Sequence, residues 1–333
     1  MGFVSKSTAR DGADYPVIVI PSDAPEQREE AGTKTRFWFT HRDAAGERRG
    51  VFKRRRRPDS GNDWAERITC ELARVLGIPA AEYDLATYER ELGVVSWSFV
   101  RFRRSSPDAE LAAEEDLILG NEILARRHAG YPRSAVPKED RLVKGHTLSR
   151  VLAAAAEVAP PDGDALPPTV KDGADAFVGY LLLDAWIANT DRHHRNWGWI
   201  EERGTGRRRL APAFDQDASL GHELNDAKRA RILEARGEGG IASYVARGAS
   251  ELWTDGDEPS RLAPIQAFRQ AEAARPAAAA DWLRRLEVAA DEEVERIVRR
   301  VPATRMSDTA SLFCRTLLNE TRRRLLATTQ SRP

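Results

Sequence analysis

Residues 181–200 read "LLLDAWIANTDRHHRNWGWI": an apolar run that ends in a knot of polar groups, Asn189, Asp191, His193, His194 and Asn196, with Trp197 and Trp199 close behind. Asp191 and Asn196 stand five apart in what reads as a loop after an apolar helix. Phosphoryl transfer needs a carboxylate to take the proton of the attacking hydroxyl and an amide oxygen to hold a magnesium ion. An Asp–x4–Asn loop supplies both from one turn of chain. The same residues also fit a polar helix C-terminus capped by its own Asn and Asp.

Downstream, "WGWIEE" and "RRRLAPAF" read as two strands joined by the Gly-containing turn "RGTG", the second ending at Asp215. A hairpin brings its two ends together, so Asn196 and Asp215 are expected within reach of one magnesium ion. Asp217 of "DQD" competes for that role, but Asp215 follows the apolar strand directly. His193 and His194, with Asp191 and Asp215, also admit a zinc or di-metal hydrolase reading. No HExxH occurs, and adjacent histidines on a strand face opposite ways. His193 is therefore expected to brace the loop from inside and His194 to point outward. Trp197 and Trp199 read as core.

The 333 residues allow one large domain or two lobes. Lys and Arg number 52, as do Asp and Glu, so net charge gives no argument for nucleic acid and any attraction for an anion is local. Two cysteines, Cys70 and Cys314, make neither a disulfide framework nor a metal knuckle and point to a reducing compartment. No apolar stretch has the length of a membrane span, and "MGFVSK" lacks a signal-peptide core, so a cytoplasmic location is expected.

The N-terminal part has a different texture. Residues 1–30 are polar and at most partly ordered. "RFWFT" and "RGVFK" flank a turn and predict a β-hairpin, with Lys53 closing its second strand. "DSGNDWAERITCELARVLGIP" predicts a helix with Asp63 as N-cap and Glu66 as its capping-box partner, stopped by Gly77 and Pro79. "EYDLATYE" and "LGVVSWSFVRF" read as two further strands. A strand-borne Lys on the phosphates of ATP, held by a Glu from the next helix, is what a kinase needs, and Lys53 and Glu66 come in that order. Strand alternation puts Lys53 on the face of Val51. Lys53 also begins the basic run "KRRRR", which otherwise reads as a solvated face or a nucleic-acid patch. "GTKTRFWF" offers Gly32, Thr33 and Thr35 as a loop over the nucleotide, though no G-x-G-x-x-G or Walker A motif is present. After residue 226 the pattern is nearly all helical. The residues thus predict a small α+β lobe followed by a larger helical one.

Taken together, "NTDRHHRN", "LAPAFDQDASLG" and the upstream "GTKTRFWF", "GVFK" and "WAERITCELARVLGIP" resemble the HipA-like serine/threonine kinases, the kinase toxins of bacterial toxin–antitoxin systems. The resemblance runs from about residue 30 to about residue 225. It implies an α+β, two-lobed, protein-kinase-like fold: an N-lobe over 31–102 and a helical C-lobe over 103–333. It implies Asp191 as catalytic base, with His193 in the same motif, and Asn196 and Asp215 as magnesium ligands. Lys53 would contact the ATP phosphates with Glu66 as partner, Gly32 and Thr33 would lie in the ATP loop, and the backbone around Ser96, Ser98 and Val100 would meet adenine. It further implies a protein substrate, in this family for example an aminoacyl-tRNA synthetase or another translation factor, and an antitoxin partner. The chain resembles the short family members, and its ATP loop carries threonines where others carry a phosphorylatable Ser. A small-molecule or lipid kinase uses the same Asp–x4–Asn loop. A pseudokinase or binding module, with Arg54–Arg57 as a nucleic-acid patch, belongs to another class, against which the intact set Lys53, Asp191, Asn196 and Asp215 argues.

Overall fold

The expected hairpin sets the register of the first sheet. In a computed structural model, which describes residues 13–28, 36–43, 46–103, 112–132, 143–163 and 165–327, the chain opens with β1 (Val17–Ile20) and β2 (Gln27–Arg28). β3 (Arg36–Asp43) and β4 (Gly46–Arg54) then pair antiparallel, with Phe37 opposite Phe52 and Arg36 opposite Lys53. Helix α1 (Asn62–Leu76) and strands β5 (Tyr83–Tyr88) and β6 (Glu91–Trp97) follow. Glu89 and Arg90 both take positive φ, 47° and 69°, the backbone of a tight two-residue hairpin turn. The sheet runs β1-β5-β6-β4-β3-β2.

The two faces of this sheet differ because side chains alternate along each strand. Phe37, Phe39, Phe52, Tyr88 and Trp97 pack together on one face. Lys53 lies across from Val94, and Val94 from Leu85; this row turns toward α1. α1 stops at Gly77 in the left-handed conformation, as expected of a helix-ending glycine. Its start differs from the expectation. Gly61 occupies the N-cap, and Asp63 sits inside the helix. The reason is electrostatic: Asp63 is fully buried, and a buried carboxylate needs charged partners. Arg55 takes it with two bonds of 3.0 and 2.8 Å, and Arg305 adds one of 3.1 Å.

Short strands β7 (Phe102–Arg103) and β8 (Ala112–Ala113) lead to β9 (Glu115–Leu119), then to helices α2 (Gly120–Arg127), α3 (Leu148–Ala155) and α4 (Gly173–Trp186). Asp172 caps α4 by accepting from the Asp175 amide at 3.0 Å. Every residue of α4 is buried, which explains why its sequence shows no amphipathic stripe: it is enclosed by helices on several sides. The expected hairpin follows as β10 (Gly198–Glu202) and β11 (Arg208–Leu210), with β9 completing a three-stranded sheet. The second strand is shorter than expected. β11 ends at Leu210, and the chain runs on to Asp215 held by the bond from the Ala213 amide to the Pro79 carbonyl at 2.9 Å. Pro212 has no N–H to offer a sheet ladder.

The remainder is helical: α5 (Asp226–Glu234), α6 (Ile241–Arg247), α7 (Pro264–Ala274), α8 (Pro276–Val288), α9 (Asp291–Arg299) and α10 (Asp308–Ala327). α7, α8 and α10 pack around α4. Cys70 and Cys314 are both buried and unbonded to each other. Among the described residues no helix is long and apolar enough to cross a membrane.

Candidate active site

α4 carries a carboxylate in its last turn, Asp184, beyond the one in its first turn, Asp175, and Asp184 shapes the loop behind it. Arg192 grips Asp184 in a bidentate pair, Nε to Oδ2 at 2.6 Å and a terminal nitrogen to Oδ1 at 2.8 Å. Asn189 donates to the same Oδ1 at 2.8 Å, and Arg192 also donates to the carbonyl of Asn196. Arg192 and Asp184 are almost fully buried, so the pair is desolvated and fixed. Ala188, at φ 53°, turns the chain out of the helix. The Asn189 side chain then accepts from the Asp191 amide at 3.1 Å.

Asn196 closes the loop. Its amide nitrogen donates to the Asp191 carbonyl at 2.7 Å and reaches the Asp215 carbonyl at 3.4 Å. The hairpin therefore does bring Asn196 to Asp215. Asp215 itself adopts φ 58°, left-handed backbone that a non-glycine residue rarely takes, and its amide donates to the Tyr83 hydroxyl at 2.9 Å.

From the sheet side, Lys53 meets this group. Its Nζ lies 2.6 Å from Glu66 Oε1 and 2.8 Å from Asp215 Oδ1, and 5.4 Å from the centre of the Tyr83 ring. Burial by itself would lower the Lys53 pKa; Asp215 and Glu66 outweigh it and raise it, so the ammonium keeps its proton. Burial drives the Glu66 carboxyl the other way from an ordinary glutamate, up to about 7, with Lys53 opposing. Glu66 Oε2 has no hydrogen-bond partner among the described residues, which leaves a place for that proton.

His193 braces the loop as expected, but His194 does not point outward. His194 is the buried one, its Nδ1 2.9 Å from the Tyr131 hydroxyl. His193 is half-buried, its Nδ1 accepts from the Arg195 amide at 3.1 Å, and its Nε2 lies 4.0 Å from Asp191 Oδ1. The segment is a turn and not a strand, so adjacent side chains do not simply alternate inside and out. The basic run departs from expectation too. Arg54 pairs with Glu91, Arg55 with Asp63, Arg56 with Asp217 and Arg57 with Asp59, and Arg55 is buried. Arg55 and Arg56 are internal wiring between β4, α1 and the segment after Asp215, while Arg54 and Arg57 form exposed pairs. Asp217 is thereby occupied by Arg56.

Ser96 lies within β6, between Val51 and Tyr83. The Ser98 amide donates to Arg49 at 2.9 Å, and the Ser98 hydroxyl accepts from the Val100 amide at 3.2 Å. Phe99 and Phe214 pack with their rings tilted by 30° and their centres 5.4 Å apart, beside this connection. Gly32, Thr33 and Thr35 lie outside the described residues. Asp184 and Tyr83 were not singled out in the sequence. A carboxylate inside "LLLDAW" was a readable signal, since a charge in an apolar run needs a buried partner. Nothing local marked Tyr83.

The oxygen donors fit a hard divalent ion. Asn196 Oδ1 accepts no hydrogen bond from the described residues, while its nitrogen is anchored on two carbonyls. Magnesium takes one or two protein oxygens and completes its shell with phosphate and water. Among the described residues no group of three or more His, Cys, Asp or Glu is assembled for a metal, which is the arrangement a zinc site would need.

No family model and no curated protein matches the sequence. Solved structures do match in fold. The proinflammatory kinase CtkA of Helicobacter pylori superposes with a TM-score of 0.66 at 17% identity, over 95% of this chain and 98% of that one. HipA of a Shewanella oneidensis MR-1 toxin–antitoxin system, solved with HipB and its operator DNA, gives a TM-score of 0.56 at 11% identity. That match covers 91% of this chain and 65% of HipA. With its six-stranded sheet before a helical region and Lys53 meeting Asp215 between them, the chain has the fold of the HipA-like kinases.

Proposed function

We propose that the chain is an ATP- and magnesium-dependent phosphotransferase, and within that class a serine/threonine protein kinase. The observation that carries this reading is the meeting of Lys53, Glu66 and Asp215 beside the Asp191–Asn196 loop, from four separate stretches of sequence. Lys53 holds its charge toward the nucleotide phosphates and is aimed by Glu66. Asp191 accepts the proton of the acceptor hydroxyl as its oxygen attacks the γ-phosphorus and ADP leaves. Asn196 and Asp215 would hold magnesium, which supplies positive charge to the phosphate oxygens. Asp184 and Arg192 keep the loop rigid, so that Asp191 needs little rearrangement.

The neighbour named as a kinase supports phosphoryl transfer, and the one solved with HipB supports a partner protein; the protein acceptor rests on the sequence resemblance. The pairing of Arg54–Arg57 with carboxylates argues against direct contact with nucleic acid. The test is incubation with γ-labelled ATP, with magnesium or with EDTA, alone and with cell lysate, followed by mass spectrometry. Magnesium-dependent phosphoserine or phosphothreonine on protein is the expected result. Label in a small molecule or lipid would keep the phosphotransferase and discard the protein acceptor. No transfer, with ATP stabilising the protein equally in magnesium and EDTA, would move the reading to a binding module.

A further inference from the structure

A cavity of about 450 Å³ lies apart from Lys53, Glu66, Asn196 and Asp215, yet touches the catalytic loop at Thr190, the residue before Asp191. Its walls are apolar: Ala185 and Ala188 at the end of α4, Val245 of α6, and Pro264 and Ile265 at the start of α7. The volume falls within the range of roughly 300–1,000 Å³ typical of small-molecule sites. Polar groups converge at its edge. Tyr244 donates its hydroxyl to Glu223 at 2.8 Å, and Arg324 is spent on Glu320 and the Ala242 carbonyl. Arg247 is different. It is exposed at the end of α6, lines the cavity, and has no carboxylate within ion-pairing distance among the described residues. Nearly every other arginine near the site is paired, so this cation stands out over an apolar floor.

We propose that this cavity binds a small amphipathic carboxylate, its apolar body against Ala188, Val245 and Ile265 and its anionic head on Arg247. The sign follows from Arg247: of the two lining arginines Arg324 is paired with Glu320, Arg247 has no ion pair among the described residues, and the lining carboxylate, Glu223, already accepts from Tyr244. The ligand has a route to the loop. Thr190 and Ala218 both line the cavity, and the Thr190 amide donates to the Ala218 carbonyl at 3.2 Å, tying the Asp191 loop to the segment after Asp215. Occupancy braces that bond. The binding stands on the cavity alone; only its consequence for phosphoryl transfer rests on the proposed function.

The experiment uses the full chain with decanoate as probe and decanol as uncharged control, read by calorimetric titration and by hydrogen exchange. One saturable decanoate site is expected, with decanol and the Arg247→Gln variant each about tenfold weaker, the worth of one hydrogen bond to a charged group. Ile265→Trp, which fills the cavity from its exposed side, is expected to abolish binding while circular dichroism and melting stay those of the parent. Exchange of the Thr190 amide is expected to slow on saturation. Absence of saturable binding, or binding indifferent to Ile265→Trp, overturns the site. Equal affinity for decanol, or for Arg247→Gln, overturns the anionic head, and unchanged Thr190 exchange overturns the link to the loop. None of these outcomes depends on whether the protein transfers phosphate.

Discussion

Lys53 Nζ lies 2.8 Å from Asp215 Oδ1, joining residues 162 apart in the chain, while Glu66 holds the same ammonium at 2.6 Å. One lysine thus links β4, α1 and the segment after β11. Lys53→Met is expected to leave Asp215 and Glu66 facing each other in a buried site, costing about 3–5 kcal/mol of stability. Lys53→Met with Glu66→Gln should recover part of that loss. Urea unfolding of the two singles and the double gives the coupling energy; simple additivity would mean that the trio does not act as a unit.

Asp191→Ala and Asp215→Ala are each expected to reduce phosphoryl transfer at least about 100-fold, following the proposed roles of base and metal ligand. Asp191→Ala should leave the melting temperature near that of the parent, since Asp191 is tied to the loop through its backbone. Turnover within a few-fold of the parent, in protein shown to be folded by circular dichroism, would remove the assignment.

Arg55 serves the fold, not the nucleotide. It shares Asp63 with Arg305, which also donates to the carbonyls of Gly93 and Ala86. Arg55→Gln should lower stability by about 2 kcal/mol and leave ATP affinity unchanged. Lys53→Met should do the reverse to affinity. A measured loss of ATP affinity in Arg55→Gln at unchanged stability would reverse this assignment.

Asp184→Ala leaves Arg192 as a buried cation without its carboxylate and should destabilise the protein by about 3–5 kcal/mol. Asp184→Asn keeps the shape and loses only the charge, so its deficit should be smaller and should appear in turnover before stability. Chemical denaturation and initial rates on the same preparations separate the two; equal stability losses for both variants would show that charge, not shape, sets the cost.

His146 makes the fold sensitive to acid. It is enclosed, its Nε2 accepting from the Trp197 indole at 3.0 Å and its Nδ1 2.9 Å from the Glu251 carbonyl, and burial lowers its pKa to about 3. In the unfolded chain the ring titrates near 6.5, so between 6.5 and about 3 the unfolded state binds the extra proton. Its contribution is complete above pH 6.5 and is lost as pH falls toward 3. The unfolding free energy of the parent from urea titrations should drop by about 2 kcal/mol between pH 7 and pH 5 from this group, at about 1.4 kcal/mol per pH unit. In His146→Gln that component should vanish; an unchanged pH slope would place the sensitivity elsewhere.

Residue order alone made several elements and the candidate site residues legible. Alternating aromatic runs made the β3–β4 hairpin readable, Gly77 marked the end of α1, and the spacing of Asp191 and Asn196 after an apolar segment marked the polar loop that meets Asp215. These are local signals, carried by backbone preference and by residue type. Only the tertiary structure decided which charges meet. Asp63 was read as a helix cap because its neighbours in sequence allow it, yet Arg305, 242 residues away, claims it. The basic run read as a solvated face because consecutive arginines usually avoid burial, yet Arg55 and Arg56 find carboxylates on α1 and after Asp215. His194 turned inward beside His193 because the loop is a turn set by Asp184 and Arg192. Ion pairs are long-range in sequence and short-range in space, so their partners follow from packing, and packing is what a single local stretch does not contain.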